Sequence, residues 1–422
     1  MIDNGLIEKL NSPTAEARLL ALQELVKKED VKPVRRLNDA NNHIHTIYSF
    51  SPYSPTKAAY MAYDAGLTSA GIMDHDSASG AKEFKTACKM LGIGSTCGVE
   101  VRAKFKKGFG KINHPDQENC VYMAAHGIPA QNVDKFNDYL SFYRKKRNER
   151  NLKMCDKISA RFAKFGITLD FMADVYPLSM AREGGSVTER HLTFALAKKL
   201  AEKFGRTERL ISFLGNDLNL NVSDKIKGYL LDDENPNFYY DLLGVLKADT
   251  AFFYIDADEE MPDAAEFIRF AESMGAIPAY AYLGDVGDSV TGDKKAQKFE
   301  DDFLEELIEE LKKDGFRAIA YMPTRNTPEQ LKRLQNLCRE HNFFELSGED
   351  INSPRQKFTC AALASPEYSH LIDSTWALIG HEAISTEKGV EYGMFSRRSV
   401  AETPNLYERI VKYAEIGRDS VK

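Results

Sequence analysis

The sequence predicts an α/β barrel interrupted by a helical insertion, and three observations lead to that prediction. From residue 41 onward, short apolar runs alternate with helical segments, which is typical of parallel βα units. This alternation stops near residue 129 and returns near residue 248. Several of the apolar runs end in histidines or carboxylates, as expected where the strand ends of one barrel converge on a common face.

Residues 1–40 precede the alternation and indicate a helical segment. Ser12 and Pro13 supply a helix cap and a first turn. An apolar stripe at helical spacing follows, formed by Ala17, Leu19, Leu20, Leu22 and Leu25. We expect a helix that packs on the barrel and carries no chemistry.

The predicted barrel consists of residues 41–128 together with residues 248–360. In its first half, one apolar strand ends at Asp74 and His75, and another ends near Glu100. In its second half, further apolar runs with helices between them lie at residues 252–255, 276–282, 318–322 and 343–346. We expect the two halves to complete one barrel.

Residues 129–247 carry long charged helical patterns and few strand signals, so they predict a helical insertion. A basic run at 143–147 is interpreted as a solvated helix face. Residues 361–422 indicate a mixed, helical C-terminal tail, which holds the only tryptophan, Trp376.

Composition excludes several classes of protein. The chain has 422 residues, of which 43% are hydrophobic, enough to bury sizeable cores. Its net charge of −7 argues against nonspecific binding to nucleic acid, which requires a surplus of Lys and Arg. Six scattered cysteines without a C-x-x-C pair indicate reduced thiols rather than disulfides or a thiolate zinc site. With no long apolar stretch and no leader pattern, we expect a cytoplasmic protein without membrane association.

The strongest local signal for chemistry is the pair His43 and His45. Histidines two apart on a strand point the same way and can present two imidazoles to one ion. The same pair also occurs in unrelated barrel amidohydrolases. The case strengthens because other apolar strands end at His75, Glu100 and Asp350.

The order and spacing of these segments resemble the polymerase-and-histidinol-phosphatase (PHP) family. Its first three motifs are matched by H-I-H-T-I-Y-S-F from His43, by the segment 58–84 that contains G-I-M-D-H-D-S, and by L-G-I-G-S-T-C-G-V-E ending at Glu100. Segments 267–284 and 326–354 resemble the approaches to its later motifs. The resemblance implies a distorted (β/α)7 barrel, similar to a TIM barrel, and a metal-dependent phosphoesterase.

The resemblance also implies a ligand set. His43, His45, Glu100 and Asp350 would hold a first metal, and His75 would belong to a further metal position or lie beside the phosphate. His75 and Asp350 are the candidate catalytic residues. The metal would activate a water that hydrolyses a phosphate ester. Mn, Fe or Zn would suit these ligands.

Several positions depart from the family pattern and predict one strong metal site with eroded neighbours. Phe50 and Ser51 stand where the family has Asp or His, and Tyr122 and Tyr282 replace two histidines. Neutral phenol is a poor ligand at pH 7. Possible extra ligands are Tyr122, Tyr282, Asn352, His126 and Asp285.

Candidate substrate contacts lie in the insertion and after the last ligand. His191, in Thr188-Glu189-Arg190-His191, resembles a signature that faces the substrate in related phosphatases; a buried packing histidine is the alternative interpretation. The candidate phosphate contacts are Arg182, Arg355 and Lys357. We expect the insertion to cover the metal face.

Three functions remain open from the sequence. The first is hydrolysis of a small phosphorylated metabolite or nucleotide. The second is a degenerate PHP-like protein that binds a phosphorylated ligand with little or no activity, as the replaced positions suggest. The third is a barrel hydrolase for C–N bonds, which ranks last because no lysine stands at a mid-chain strand end. The sequence does not predict an oligomeric state.

Overall fold

The computed structural model describes residues 4–27, 38–106, 108–114, 117–287 and 297–421. Its centre is a seven-stranded mixed sheet in the order of the chain. The strands are β1 Ala40–Ile44, β2 Ser69–His75, β3 Gly94–Lys104, β4 Cys120–His126, β5 Ile277–Ala281, β6 Ala318–Tyr321 and β7 Phe344–Ser347. Beyond β7, the amide of Ile351 donates to His43 and its carbonyl accepts from His45, which nearly closes the sheet. The predicted distorted barrel is confirmed.

One strand departs from the expected parallel pattern. β4 runs antiparallel to both β3 and β5, whereas the other neighbouring pairs are parallel. β3 returns into β4 through residues 105–119, where the described residues form no helix, so these two strands pair as neighbours in a hairpin.

The helices of the first half cover the outside of the sheet. They are α1 Asn4–Lys9, α2 Ala15–Lys27, α3 Pro55–Asp64 and α4 Ala81–Leu91. A buried pair, Arg18 on α2 and Glu83 on α4, is joined by two hydrogen bonds of 2.6 and 2.8 Å. Glu83 also accepts from Thr56 on α3. The N-terminal helix therefore packs on the barrel, although it begins after Ser12 and Pro13 at Ala15.

Between β4 and β5 lies a largely helical segment with an apolar core of its own, formed by residues between Met154 and Phe253. Its helices are α5 Val133–Phe162, α6 Glu189–Phe204, α7 Glu208–Ser212, α8 Asp224–Leu231 and α9 Phe238–Leu246. Short 3-10 and π turns connect several of them.

Buried ion pairs join this segment to the barrel. Arg147 on α5 pairs with Asp76, which directly follows His75, and Arg150 pairs with Glu260 at 2.5 Å. Glu260 also pairs with Arg102 on β3 at 2.5 Å. Arg147 is only 5% exposed, so the prediction of a solvated face for the whole run 143–147 is wrong at this residue.

The second half of the barrel contributes α10 Ala264–Ser273, α11 Leu304–Asp314 and α12 Pro328–His341, and the tail contributes α13 His370–Lys388, α14 Arg397–Glu402 and α15 Leu406–Asp419. Ala377 and Leu378 of α13 share an apolar cluster with Ile277 and Phe344 of the sheet. α13 therefore packs against the barrel. Its Gly380 is required for close packing on α15, because a Cβ there would lie 1.9 Å from the carbonyl oxygen of Tyr413. None of the helices in the described residues has the length and apolar character to cross a membrane.

Candidate metal centre

The side chains of β1, β2, β3 and the segment after β7 converge on one cluster. Nε2 of His45 lies 3.2 Å from Oδ1 of Asp350 and 3.9 Å from Oε2 of Glu100. The same Glu100 oxygen lies 3.7 Å from Nε2 of His43 and 3.0 Å from Nδ1 of His75. The structure thus brings together all five predicted metal ligands.

Two overlapping groups of donors occur in this cluster. His43, His45 and Asp350 form one group, and His45, His75 and Glu100 form the other. Within each group the potential ligand atoms lie within 4.8 Å of one another. An imidazole and carboxylate set at this spacing suits a divalent transition metal.

The local backbone explains this convergence. His75 and Glu100 are register partners on the parallel strands β2 and β3, so their side chains emerge side by side. Gly348 lets the segment after β7 approach β1, because a Cβ there would lie 2.7 Å from the amide nitrogen of His43. This close approach brings Asp350 to the histidines.

A buried carboxylate lies behind the cluster. Asp74 accepts hydrogen bonds of 2.6 Å from the amide and hydroxyl of Thr46 and from the hydroxyl of Ser49. Both donors belong to the turn that follows His45. Such contacts fix the orientation of a metal-binding histidine.

Charge within the cluster favours a bound cation. Burial alone would raise the pKa of Glu100, but the charges of His75 and His43 and their hydrogen bonds hold it well below its usual range. Burial would likewise raise the pKa of Asp350, yet its contact with His45 and nearby positive charge lower it. Burial lowers the pKa of His45, whereas in His43 the charge and hydrogen bond of Glu100 outweigh burial and raise the pKa. The low pKa values of Glu100 and Asp350 keep two negative charges in the cluster, which a divalent metal ion would neutralise.

A cavity of about 70 Å³ lies beside this cluster, lined by His43, Glu100 and Asp350 among others. Three buried polar atoms of its lining have no hydrogen-bond partner among the described residues: Oδ1 of Asn42, Oγ of Ser347 and Nε2 of His126. Burial lowers the pKa of His126 to about 3, so its ring is neutral. The space would admit water or a further ligand of the centre.

The other possible ligands occupy different positions. The Tyr282 hydroxyl donates to Asp301 at 2.6 Å, and Asp285 pairs with Lys298 at 2.6 Å. Tyr122 packs against His75 with ring centres 6.2 Å apart, and burial raises the pKa of its phenol. Asn352 donates to Oδ1 of Asp350 at 2.5 Å and so orients a predicted ligand. Asp285 does not join the groups of His, Asp and Glu donors found in the described residues.

Two predicted substrate contacts are engaged elsewhere. Arg355 binds Asp241 through hydrogen bonds of 2.6 and 2.8 Å and stacks on Tyr229. It therefore ties the segment after β7 to α9 and α8. Nδ1 of His191 accepts from the amide of Thr188 at 2.9 Å as part of a helix cap, and its ring packs edge-on against Phe50.

Arg182 and Lys357 are both exposed, and neither makes a hydrogen bond or ion pair with a residue that the structure describes. Arg182 belongs to a turn whose end contacts the β2–α4 loop, because the carbonyl of Gly184 accepts from Ser77 and Ser79. Their place in substrate binding stays a prediction.

Two cations that the sequence did not single out lie near the cluster. The charge of Arg190, at the start of α6, lowers the pKa of Asp350, and Asp350 in turn acts on Lys247 after α9. The neighbouring charge of Arg190, with burial, lowers the pKa of Lys247 to about 8. Within the described ranges, neither cation forms a hydrogen bond or ion pair. Arg190 directly precedes His191, so the segment that contains it was already a candidate. Lys247 gave no such signal in the sequence, because it comes near the cluster only through the packing of α6 on α9.

No family model and no curated protein matches the chain. The solved structures that match the chain include two bacterial proteins. One is a proposed metal-dependent phosphoesterase from Bifidobacterium adolescentis, 19% identical over 79% of this chain and 95% of that chain, with a TM-score of 0.51. The other is an amidohydrolase from Chromobacterium violaceum with bound sulfate and no metal, 16% identical over 76% and 90%, with a TM-score of 0.49. The first likeness shows a shared fold and no more; membership of the PHP family stays a prediction.

Proposed function

We propose that this chain is a metal-dependent phosphoesterase that hydrolyses a small phosphorylated metabolite or nucleotide. The observation that carries the proposal is the convergence of His43, His45, Glu100 and Asp350 on one face of the barrel. Beside them lie Arg190 and Lys247, which form no ion pair within the part of the chain that the structure describes. The named activity of the Bifidobacterium neighbour agrees with this proposal.

In this proposal His43, His45, Glu100 and Asp350 hold one Mn, Fe or Zn ion. A bound divalent metal would lower the pKa of a coordinated water and neutralise phosphoryl oxygens. Asn352 orients the Asp350 carboxylate, and the turn after His45 orients that imidazole. His75, whose side chain is 22% exposed, is the candidate for a further metal position or for contact with the phosphate.

Substrate binding would use the positive charge next to the centre. Arg190 and Lys247 can donate hydrogen bonds to phosphoryl oxygens, and Arg190 offers a fork that matches two of them. Arg355 is less suited, since its Nε and Nη2 already donate to the Asp241 carboxylate. The half-buried Tyr240 and Phe194 pack against Phe50 and each other, and this aromatic cluster would exclude water.

A second candidate function is binding of a phosphorylated ligand without turnover. It is favoured by Phe50, which contacts His191, Phe194 and Tyr240 where the family has a metal ligand. The phenol of Tyr282, which is bonded to Asp301, also favours it. A protein of this kind would retain Arg190 and Lys247 as phosphate contacts but would not hydrolyse the bound ester.

The test is metal content together with turnover of a panel of phosphate esters. Protein reconstituted with Mn²⁺ or Zn²⁺ should release inorganic phosphate, and His45→Ala should lose both metal and activity. His341→Ala, at the end of α12, is the matched control and should keep both. Metal without turnover, with retained phosphate binding, would support the second candidate. A chain that binds neither metal nor phosphate would overturn both.

A further inference from the structure

A groove of about 870 Å³ lies on the outside of the barrel, away from the metal centre. One wall is α12, and the other is formed by the starts of α13 and α15. Its apolar lining includes Phe343, Tyr368, Leu406, Tyr407 and Ile410. A concave apolar site of this size with a few polar groups is typical of small-molecule binding.

A buried carboxylate lies in this groove. Phe344 and Leu346 of β7 face the apolar cluster under α13, so the pleat turns Glu345 to the opposite side of the sheet. Glu345 lines the groove and is 9% exposed. A Glu at such depth is rare unless it is paired.

Neighbouring side chains satisfy the Glu345 carboxylate only in part. Oε2 of Glu345 accepts from the hydroxyl of Tyr321 at 2.8 Å, and Nε2 of His370 lies 3.4 Å away. That His370 nitrogen is buried and makes no hydrogen bond among the described residues. Oε1 of Glu345 makes none either, and no Lys or Arg of those residues pairs with the carboxylate. Burial of an anion without a strong cation costs free energy, which a ligand cation would recover.

The lining as a whole is more acidic than basic. Acidic side chains are Glu329, Glu345, Glu367 and Asp373, whereas Lys332 and Arg339 are the cations of the lining apart from His370. Asp373 pairs with Arg418 and Arg339 bonds to Asn336, so these two charges are partly engaged. The negative charge that remains on the lining, together with its apolar side chains, favours a cationic ligand with an apolar body.

We propose that this groove binds a small organic ammonium compound, with the ammonium on Glu345 and the apolar part against Tyr368, Leu406, Tyr407 and Ile410. The site is independent of the proposed hydrolysis, since Glu345 faces the outside of the sheet. Phenethylammonium is a suitable probe because it joins a primary ammonium to an aromatic ring. 2-Phenylethanol is its uncharged counterpart.

The test is isothermal titration of the full chain with both probes. Phenethylammonium should bind saturably, and 2-phenylethanol should bind about tenfold more weakly, because its hydroxyl can donate to Glu345 but lacks the positive charge that strengthens the contact. Glu345→Gln should weaken amine binding by about the same factor. Glu329→Gln, an identical change at an exposed position of the same groove, should alter it less than about twofold.

The variants also report on folding. Glu345→Gln should melt at the same temperature as the natural chain or higher, because it removes a buried charge. If Glu345→Gln fails to fold, Tyr407→Ala is the variant to test, because a side chain that is 72% exposed can be removed without unfolding the chain. Loss of this ring should weaken amine binding severalfold. Absence of saturable binding, equal binding of amine and alcohol, or full affinity in the variant tested would each overturn the proposal.

Discussion

The hydroxyl oxygen of Ser49 lies 3.3 Å from Nδ1 of His45. Ser49 donates its single proton to Asp74 at 2.6 Å, so it can only accept from the imidazole. A proton on Nδ1 of His45 therefore finds an acceptor in Ser49, which would leave Nε2 free to bind a metal ion beside Asp350 and Glu100. The turn after His45 thus favours the tautomer that a metal ligand requires.

The first prediction follows from this contact. Ser49→Ala should weaken affinity for Zn²⁺ or Mn²⁺ by about 10- to 100-fold, as is typical when a partner of a metal-binding histidine is lost. Ser51→Ala is the control, because its oxygen only accepts from the amide of Tyr53 in the same turn. Competition with a metal chelator measures both affinities. Equal affinity in the two variants would contradict the assigned tautomer.

The second prediction separates two arginines near the centre. Arg190→Gln should weaken binding of inorganic phosphate by about tenfold or more, because a charge-assisted hydrogen bond is lost. Arg355→Gln should change it by less than about threefold, since Asp241 holds that side chain. Titration of metal-loaded protein with phosphate measures both variants. A larger loss of phosphate binding in Arg355→Gln than in Arg190→Gln would identify Arg355 as the substrate contact instead.

The sequence predicted the barrel from short-range patterns, and the family resemblance pointed to the five side chains that converge in it. The apolar run that ends in His75 indicates a strand end, and strand ends of one barrel meet on one face. Glu100, by contrast, lies within β3, which continues to Lys104. No strand was predicted where β4 lies, and the apolar run 252–255, predicted as part of the strand–helix alternation, forms a turn and irregular chain instead. Likewise, Lys247 acquires its place only through the packing of α9 on α6.

The roles of two other residues depend on contacts remote in sequence. Arg355 follows the last ligand, which suggested a phosphate contact, yet Asp241 lies 114 positions earlier and binds it. Arg147 belongs to a basic run, yet its guanidinium forms a buried ion pair with the carboxylate of Asp76. A charged residue finds its partner through tertiary structure, so charge runs alone do not separate solvated faces from buried pairs.

The third prediction concerns stability against pH. Burial raises the pKa of Glu300 to about 7 from an ordinary 4.5, although Tyr280 and the amide of Leu283 donate to it. The charge of Asp301 raises this pKa further, while Arg325 is a nearby cation. Because the folded value lies above the unfolded one, the contribution of Glu300 is fully present below about pH 4.5 and lost as pH rises through about 7.

Glu300→Gln should therefore remove this dependence. Between pH 5 and pH 8 the natural chain should lose roughly 2–3 kcal/mol more unfolding free energy than the variant. Urea unfolding at several pH values measures the difference. Asp302→Asn is the control, because its side chain is 73% exposed and pairs only with Lys298. Parallel pH profiles for the natural chain and Glu300→Gln would show that this carboxyl titrates normally.

The number of metal ions depends on what a second position can offer. Glu100 can bridge two ions only if the second has further donors, and His75 is one such donor. The phenol of Tyr282 turns to Asp301, whereas the neighbouring Ala281 lines the cavity beside Glu100 and His126. The position that faces the centre is thus occupied by a methyl group, which supplies no ligand.

The natural chain should accordingly hold about one equivalent of metal after reconstitution with Mn²⁺ or Zn²⁺, measured by elemental analysis. Ala281→His should raise the metal content toward two equivalents, because an added imidazole could join Glu100 and His75 around a second ion. Phosphate-ester hydrolysis should then become faster, since two ions stabilise both the attacking and the leaving oxygen. Tyr282→His is the matched control: the same imidazole placed one residue along the chain would replace a side chain that points to Asp301, so the metal content should stay near one. Two or three tightly held ions in the natural chain would mean that His126 or Tyr122 already completes the second position, and the predicted erosion of this centre would be wrong.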